Sequence, residues 1–482
     1  MAALLHWTPM ILNDAHINGL TVCMRRRNLL QTLELRNSSS RASQLKAFSR
    51  FNGKRAAPSS SASSSVILAT SNIQAHGLQT IHDTQMVDNT SDSRLRIGHT
   101  QIDHNMKEVQ ERQQAALDFV VPDFIPPVPF RMNPGLEEAN KKALKWAVHH
   151  FESFMSPENF QNLFYQENPH YLAGGVYPDA PISRLDFGIE FLAWLYVLDD
   201  QSLLSQKSSL EELVQMQLDI QVVIMAAYPQ DKSLQDNLVK CVSNELGHFE
   251  FAKDFVEKVV AQATTKHLLG SDYDEHLSPI ASAFQDLWIR AISLMPKEWS
   301  LRFGKIMQQN VFANFLESHN LHDDTCPSVS AYILERRKSG LIHPALVLQE
   351  LLQDVFLPDS IYHSLPMQRL LDATMDVICW DNDIWSFPKE LEAGEMANLV
   401  FLTSKEEACS YNKAAKIVTE MMVDKCKEMQ LAAIDLKEYC KNHELTTTQK
   451  AAIEHYISCC NNWVSGSHTF HSQSHRFQVV RA

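Results

Sequence analysis

Asn382-Asp383-Ile384-Trp385-Ser386-Phe387-Pro388-Lys389-Glu390 decides how the chain is read. Asn382, Ser386 and Glu390 are spaced by four, so on a helix they drift by about 40° per step and share one face. The same stripe runs back through Ile378, Met375 and Leu371, all apolar. An amide oxygen, a hydroxyl and a carboxylate at the end of a hydrocarbon wall make a hard-oxygen site of the kind Mg²⁺ prefers. A polar triplet by itself would be a solvated face; the apolar continuation sets this one apart. Pro388 removes an interior hydrogen bond and its ring opposes the Ile384 carbonyl, which predicts a kink or an end to the helix nearby. Glu390 lies beyond that point, so its aim depends on how the helix passes the proline.

Composition agrees with helices. Only 14 of 482 residues are glycine, about half of average usage, so tight β-turns are few. With 45% hydrophobic and 21% charged residues the chain is ordinary for a soluble globular protein. No apolar run is long enough to span a membrane, and a formal charge of −14 argues against a nucleic-acid surface. The nine cysteines form no CxxC pair or Cys/His zinc spacing, and read as reduced thiols rather than a disulfide framework.

Residues 1–80 stand apart. They hold nine basic residues against two acidic ones, Asp14 and Glu34, with serine dense at 38–40 and 59–65. Arg-rich, Ser-rich and acid-poor is the composition of an organellar transit peptide, and a disordered tail is the plainer reading. The expectation is a leader over 1–80, directing the protein to a plastid if it is a transit peptide and otherwise leaving it cytoplasmic. A polar linker follows over 81–120. Four prolines between Val121 and Phe130 predict an extended arm. Asn133-Pro134 then opens a helix over 136–151, and helix follows helix with no strand alternation or internal repeat. One all-α domain over 121–482 is the economical reading.

A second wall comes from the helix expected over about 181–200. Gly188, Phe191, Leu195 and Leu198 share a face that ends in Asp199-Asp200. Adjacent aspartates alone are a weak signal; opposite the Asn382 stripe they become the other rim of one pocket, where divalent ions could hold a diphosphate. His322-Asp323-Asp324 reads as a loop, and Glu211-Glu212 as a solvated face. A diphosphate leaving group also needs cations, for which Arg336, Arg337, Lys389 and Arg476 are the candidates.

At this point the chain from about Val121 resembles the class I terpene cyclases of the microbial type, found in bacteria, fungi and some non-seed plants. Asn382-Asp383-x-x-Ser386-x-x-x-Glu390 is similar to the family's second metal motif, and Asp199-Asp200 stands in the place of its aspartate-rich motif. Arg336, 46 residues before Asn382, falls where the family keeps a diphosphate-sensing arginine, with Ser339 and Gly340 as linker residue and effector glycine. Trp463-Val464-Ser465-Gly466, Phe470 and Arg476-Phe477 resemble the C-terminal segment that ends in an Arg-Tyr pair. There are departures. Leu203 and Leu204 stand where a further carboxylate is usual, Phe477 replaces the tyrosine, and Phe470 stands near the place of a common tryptophan.

The resemblance implies a single helical bundle or barrel with a disordered N-terminal extension. It implies three Mg²⁺ ions, with Mn²⁺ as the alternative, held by Asp199, Asp200, Asn382, Ser386 and Glu390. Arg336, Lys389 and Arg476 would neutralise the departing diphosphate, Gly340 would act in ionisation, and Phe477 would touch substrate. The expected activity is that of a Mg²⁺-dependent terpene synthase, a carbon–oxygen lyase that cyclises farnesyl diphosphate to a sesquiterpene. A monoterpene synthase using geranyl diphosphate, a chain-elongating prenyl transferase, and a non-catalytic helical binding protein with a decayed metal site are the other readings. The partner expected is the small-molecule prenyl diphosphate.

Overall fold

The computed structural model describes residue 107 and residues 109–199, 210–246, 249–269, 277–320, 327–474 and 477. The proposed leader and most of the linker lie outside the described residues. So do Asp200, Leu203, Leu204, the 322–324 triplet and Arg476. Among the described residues every regular element is helical. In chain order they are α1 (Leu136–Phe151), α2 (Pro157–Gln161), α3 (Pro169–Val176), α4 (Ile182–Asp199), α5 (Leu210–Ala226) and α6 (Lys232–Leu246). Then come α7 (Phe249–Leu269), α8 (Pro279–Leu294), α9 (Lys297–Asn320), α10 (Val329–Ser339), α11 (Ile342–Gln353) and α12 (Asp359–Tyr362). The last four are α13 (Leu365–Ala393), α14 (Leu399–Glu406), α15 (Tyr411–Asn442) and α16 (Thr447–Gln473).

Two helices carry the walls that the sequence anticipates. Between Leu185 and Leu198 nearly every residue of α4 is buried, as expected of a helix stretch that is apolar all round. It is enclosed by α1, α3, α8 and α11. α13 packs against α15 on its outer side and against α16 and α10 on others. Pro388 does not end it: the helix continues to Ala393 and stops at Gly394, whose φ of 78° suits a residue without Cβ. That rules out an end at the proline, one of the two outcomes expected there, and carries Glu390 on the same helix as Asn382.

Three devices fix the remaining helices around these walls. α3 and α16 cross backbone to backbone, because a Cβ on Gly466 would lie 2.7 Å from the carbonyl carbon and oxygen of Gly175. Arg302 of α9 and Glu350 of α11 form a buried ion pair at 2.8 Å. Glu350 also accepts from the Tyr456 hydroxyl of α16 and the Leu357 amide, so the buried charge is well supplied with donors. Between α10 and α11 the chain breaks at Gly340 and Leu341, and Leu341 takes a left-handed conformation with φ 58°, an uncommon place for a leucine.

The arm before α1 is helical as far as residue 117 and irregular after it. It runs along α13 and α16, with Phe119 against Phe387 (ring centroids 4.7 Å apart) and Phe124 against His468 (5.2 Å). Asn412 pins it by accepting from the Val120 amide and donating to the Asp118 carbonyl. Asn133 closes the entry to α1 by donating to the Tyr177 and Ala180 carbonyls.

Candidate active site

A cavity with about 790 Å³ of atom-free space, its open mouth and adjoining solvent included, lies between α4 and α13. Leu192, Leu195, Tyr196 and Asp199 line it from α4, and Ile378, Cys379 and Asn382 from α13. Arg336, Gly340, Leu341, Ile342 and Ala345 supply the side between them. Leu172 of α3, Trp463, Ser467 and His471 of α16, and Phe477 complete it. Two apolar helix stripes thus meet around one space, with Asp199 and Asn382 at its polar end.

On α13 the side chains divide by face. Asn382 Oδ1 accepts from Arg336 Nη2 at 3.1 Å. Ser386 Oγ is buried and has no hydrogen-bond partner. Glu390, half-buried, accepts from Asn398 Nδ2 at 2.8 Å. Asp383 turns away from the cavity and accepts from the Tyr332 hydroxyl at 2.8 Å, the Leu399 amide at 3.1 Å and Arg336 Nε at 3.3 Å. Burial pushes its carboxyl up to about 7 against the pull of Arg336. Lys389 falls on the Asn382 stripe two turns further out and is exposed, beyond the cavity lining.

Arg336 sits at the centre of the charge pattern. Its guanidinium lies 3.2 Å from Asp383 and 3.5 Å from Glu317. Burial opposes its charge, but Tyr332, Asp383 and Glu317 outweigh that and hold it above its ordinary value. Arg337 does not join it: this neighbour points to the outer side of α13, where it pairs with Asp376 at 2.6 Å and Asp372 at 2.8 Å.

Several residues of the site escaped the sequence reading. Glu317 of α9 has its carboxyl raised by burial, opposed by Arg336, with Asp199 and Glu390 adding to the rise. Asp199, Glu317 and Glu390 are therefore neighbours across the mouth. Asn314, one turn before Glu317, donates to Asp199 Oδ1 at 2.8 Å and ties it to the Ser339 carbonyl at 3.3 Å. Asp381, beside Asn382, accepts from His468 at 3.0 Å and His471 at 2.6 Å and so docks α16 on α13. Burial would raise the Asp381 carboxyl, but the two imidazoles hold it below its usual range. The spacing of Asn310, Asn314 and Glu317 along α9 was the available signal; for Asp381 the two histidines lie almost ninety residues away in sequence.

Of the aromatic residues near the end of α4, Tyr196 lines the cavity while Trp194 is buried, donating to the Ile280 carbonyl. Phe470 is buried against His471 and is not part of the lining; the rings presented by α16 are those of Trp463 and His471. Phe477 does reach the cavity. The cysteines of the described residues are all free, and the Cys379 thiol is pushed up to about 12 by burial.

The donor set fits a hard divalent cation. The Ser386 hydroxyl is a buried oxygen without a protein partner, and the amide oxygen of Asn382 and the carboxylate of Glu390 share its stripe. Among the described residues no three His, Cys, Asp or Glu side chains gather into a cluster that could hold a metal ion, so the donors here are the mixed amide, hydroxyl and carboxylate oxygens of the stripe.

The family model "Terpene synthase family 2, C-terminal metal binding" matches residues 190–428, which takes in Asp199, Arg336 and the whole Asn382 stripe. The alpha-gurjunene synthase of Marchantia polymorpha is 27% identical over 310 residues, 60% of this chain and 69% of that protein. The pristinol synthase of Streptomyces pristinaespiralis is 23% identical over 341 residues, 71% and 80% of the two chains. In three dimensions the germacradien-4-ol synthase of Streptomyces citricolor superposes with a TM-score of 0.56 at 19% identity, covering 73% of this chain and all of that one. An all-helical fold of this topology, the matched metal-binding region and these relatives agree: the chain belongs to the class I terpene synthases, carbon–oxygen lyases that act on prenyl diphosphates.

Proposed function

We propose that this terpene synthase uses Mg²⁺ to ionise farnesyl diphosphate and closes the resulting allylic cation to a sesquiterpene. The observation that carries the reading is the polarity of one cavity, with Asp199, Arg336 and Asn382 at one end and Leu172, Leu195, Ile342, Ala345 and Ile378 along its walls.

Asn382, Ser386 and Glu390 on one side and Asp199 on the other would hold Mg²⁺, with Asp200 as a further candidate. Bound there, the metal supplies positive charge against the diphosphate oxygens and makes the diphosphate a better leaving group. Arg336 is the protein's own contribution to that step. It donates from one rigid fork and stays charged, so it stabilises the diphosphate most where negative charge develops. Asn314 and Asp383 keep Asp199 and Arg336 in place from behind. Below them the largely hydrocarbon walls keep the cation away from bulk solvent, which lets cyclisation outrun quenching from the mouth. Trp463 lines the same space, and a cation over its ring would gain from the ring quadrupole.

The test is direct. Purified protein is incubated with Mg²⁺ and geranyl, farnesyl or geranylgeranyl diphosphate, and both pyrophosphate release and volatile products are measured. Cyclic C15 products from farnesyl diphosphate are expected. Turnover of geranyl diphosphate alone would move the assignment to a monoterpene synthase, and no metal-dependent turnover of any of the three would remove it.

A further inference from the structure

Gln349 of α11 is wholly buried, and neither the oxygen nor the nitrogen of its amide has a hydrogen-bond partner. Buried amides are nearly always bonded, and an orphan one calls for a water or a ligand. Its place on the helix says where that partner sits. Ile342 and Ala345 of α11 line the cavity. At 100° per residue Gln349 falls between them around the helix axis, one turn deeper than Ala345. Side chains on a helix lean towards its N-terminus, which on α11 is the direction of the cavity.

Just beyond, the space closes. A Cβ on Gly188 of α4 would lie 3.1 Å from Leu352 Cδ1 and 3.3 Å from Tyr177 Cδ2. Tyr177 donates to the Ala345 carbonyl at 2.8 Å and meets Trp463 edge-on, ring centroids 5.4 Å apart. The indole N–H of Trp463 is also buried without a partner. Behind the floor of the cavity, one turn past the lining residue Ala345, an amide oxygen and an amide NH₂ therefore lie without a protein partner, and the indole N–H of the lining residue Trp463 is likewise unsatisfied.

We propose that Gln349 holds a water molecule at this floor, and that this water captures the terpenyl cation, so that the product is a cyclic terpene alcohol. The assignment rests on the cyclase reading above. A lone pair of the water oxygen forms the C–O bond into the empty orbital of the cationic carbon. The oxonium so formed gives its proton to Gln349 Oε1, since a protonated alcohol is a stronger acid than a protonated amide. The proton passes to bulk water when the product leaves through the mouth. Nothing is oxidised or reduced, and water is the co-reactant. A dry floor would leave the cation to lose a proton and give a hydrocarbon.

The experiment turns over wild type, Gln349→Leu, Gln349→Met and Gln349→Asn with farnesyl diphosphate and Mg²⁺ in ¹⁸O-labelled water, reading pyrophosphate release alongside products. Wild type is expected to give a cyclic alcohol carrying ¹⁸O. In the Leu and Met variants the alcohol fraction falls roughly tenfold in favour of hydrocarbons, because the ordered water has lost its principal partner. The Asn variant, which keeps an amide, retains alcohol. A wild-type product that is hydrocarbon only overturns the proposal whatever the variants do, and so does an unchanged alcohol fraction in a folded Leu or Met variant. Absence of pyrophosphate release by wild type would strike the cyclase reading itself and this assignment with it.

Discussion

Arg336 Nη2 donates to Asn382 Oδ1 at 3.1 Å, so the cation expected to grip the diphosphate rests on an oxygen expected to grip a metal ion. Both roles cannot be filled at once by that pair. Binding of metal and diphosphate has to move the guanidinium from Asn382 towards the substrate while Asp383 and Glu317 keep it at the mouth. A lysine keeps the charge but not the fork that reaches Asn382, Asp383 and Glu317 together. Arg336→Lys is expected to lower kcat by about 10²–10³ with a smaller change in KM, measured as pyrophosphate release.

Ser386→Ala should separate stability from binding. The hydroxyl is buried with no partner, so its removal costs the fold nothing and can stabilise it. The same change deletes one hard-oxygen donor from the stripe. Expected are an unchanged or higher melting temperature and about 10- to 100-fold weaker Mg²⁺-dependent binding of inorganic pyrophosphate by calorimetry. A lower melting temperature with binding intact would contradict it.

Glu190 gives the domain a pH slope. It is buried on α4, pairs with Arg290 at 2.6 Å, and burial still pushes its carboxyl up to about 7. The folded protein thus holds this proton more tightly than the unfolded chain does. The stabilisation is complete below the ordinary glutamate range and is lost as pH rises through about 7. The melting temperature should fall over that interval by an amount worth on the order of 1–3 kcal/mol, and Glu190→Gln should flatten the decline in a series of thermal melts.

Gly466→Ala tests the crossing of α3 and α16. A methyl there meets the Gly175 backbone at 2.7 Å rather than a yielding side chain, so the helices have to part. A loss of about 1–3 kcal/mol or more is expected from chemical denaturation, with no change in the pH dependence assigned to Glu190.

The walls were legible in the sequence because they are local. Asn382 and Ser386 share a face with Ile378 through helical spacing alone, and Leu195 and Asp199 do so on α4. The all-α class followed from the scarcity of glycine and the absence of alternating strands. Pro388 does not end α13 because an interior proline weakens a helix without ending one that α15, α16 and α10 hold in place. Glu317 and Asn314 were overlooked for the opposite reason: they sit in an ordinary amphipathic helix, and only the folding of α9 beside α10 brings them to Arg336 and Asp199. Nothing in the local pattern around Asp381 foretells two histidines that arrive from α16. Phe470, near the place of a common tryptophan in the resemblance, does not line the cavity, whereas Trp463 and His471 of the same helix do.

The arm bears on how much of the chain's beginning can be spared. Phe119 braces the outer half of α13, and Phe124 lies against the histidine that fastens α16 to Asp381. Shortening the protein from its start, whether by a processing protease or by an engineer trimming for expression, has to stop before Phe119. A cut beyond it would pull the backing from the very helix that carries Asn382, Ser386 and Glu390, although it removes none of those three.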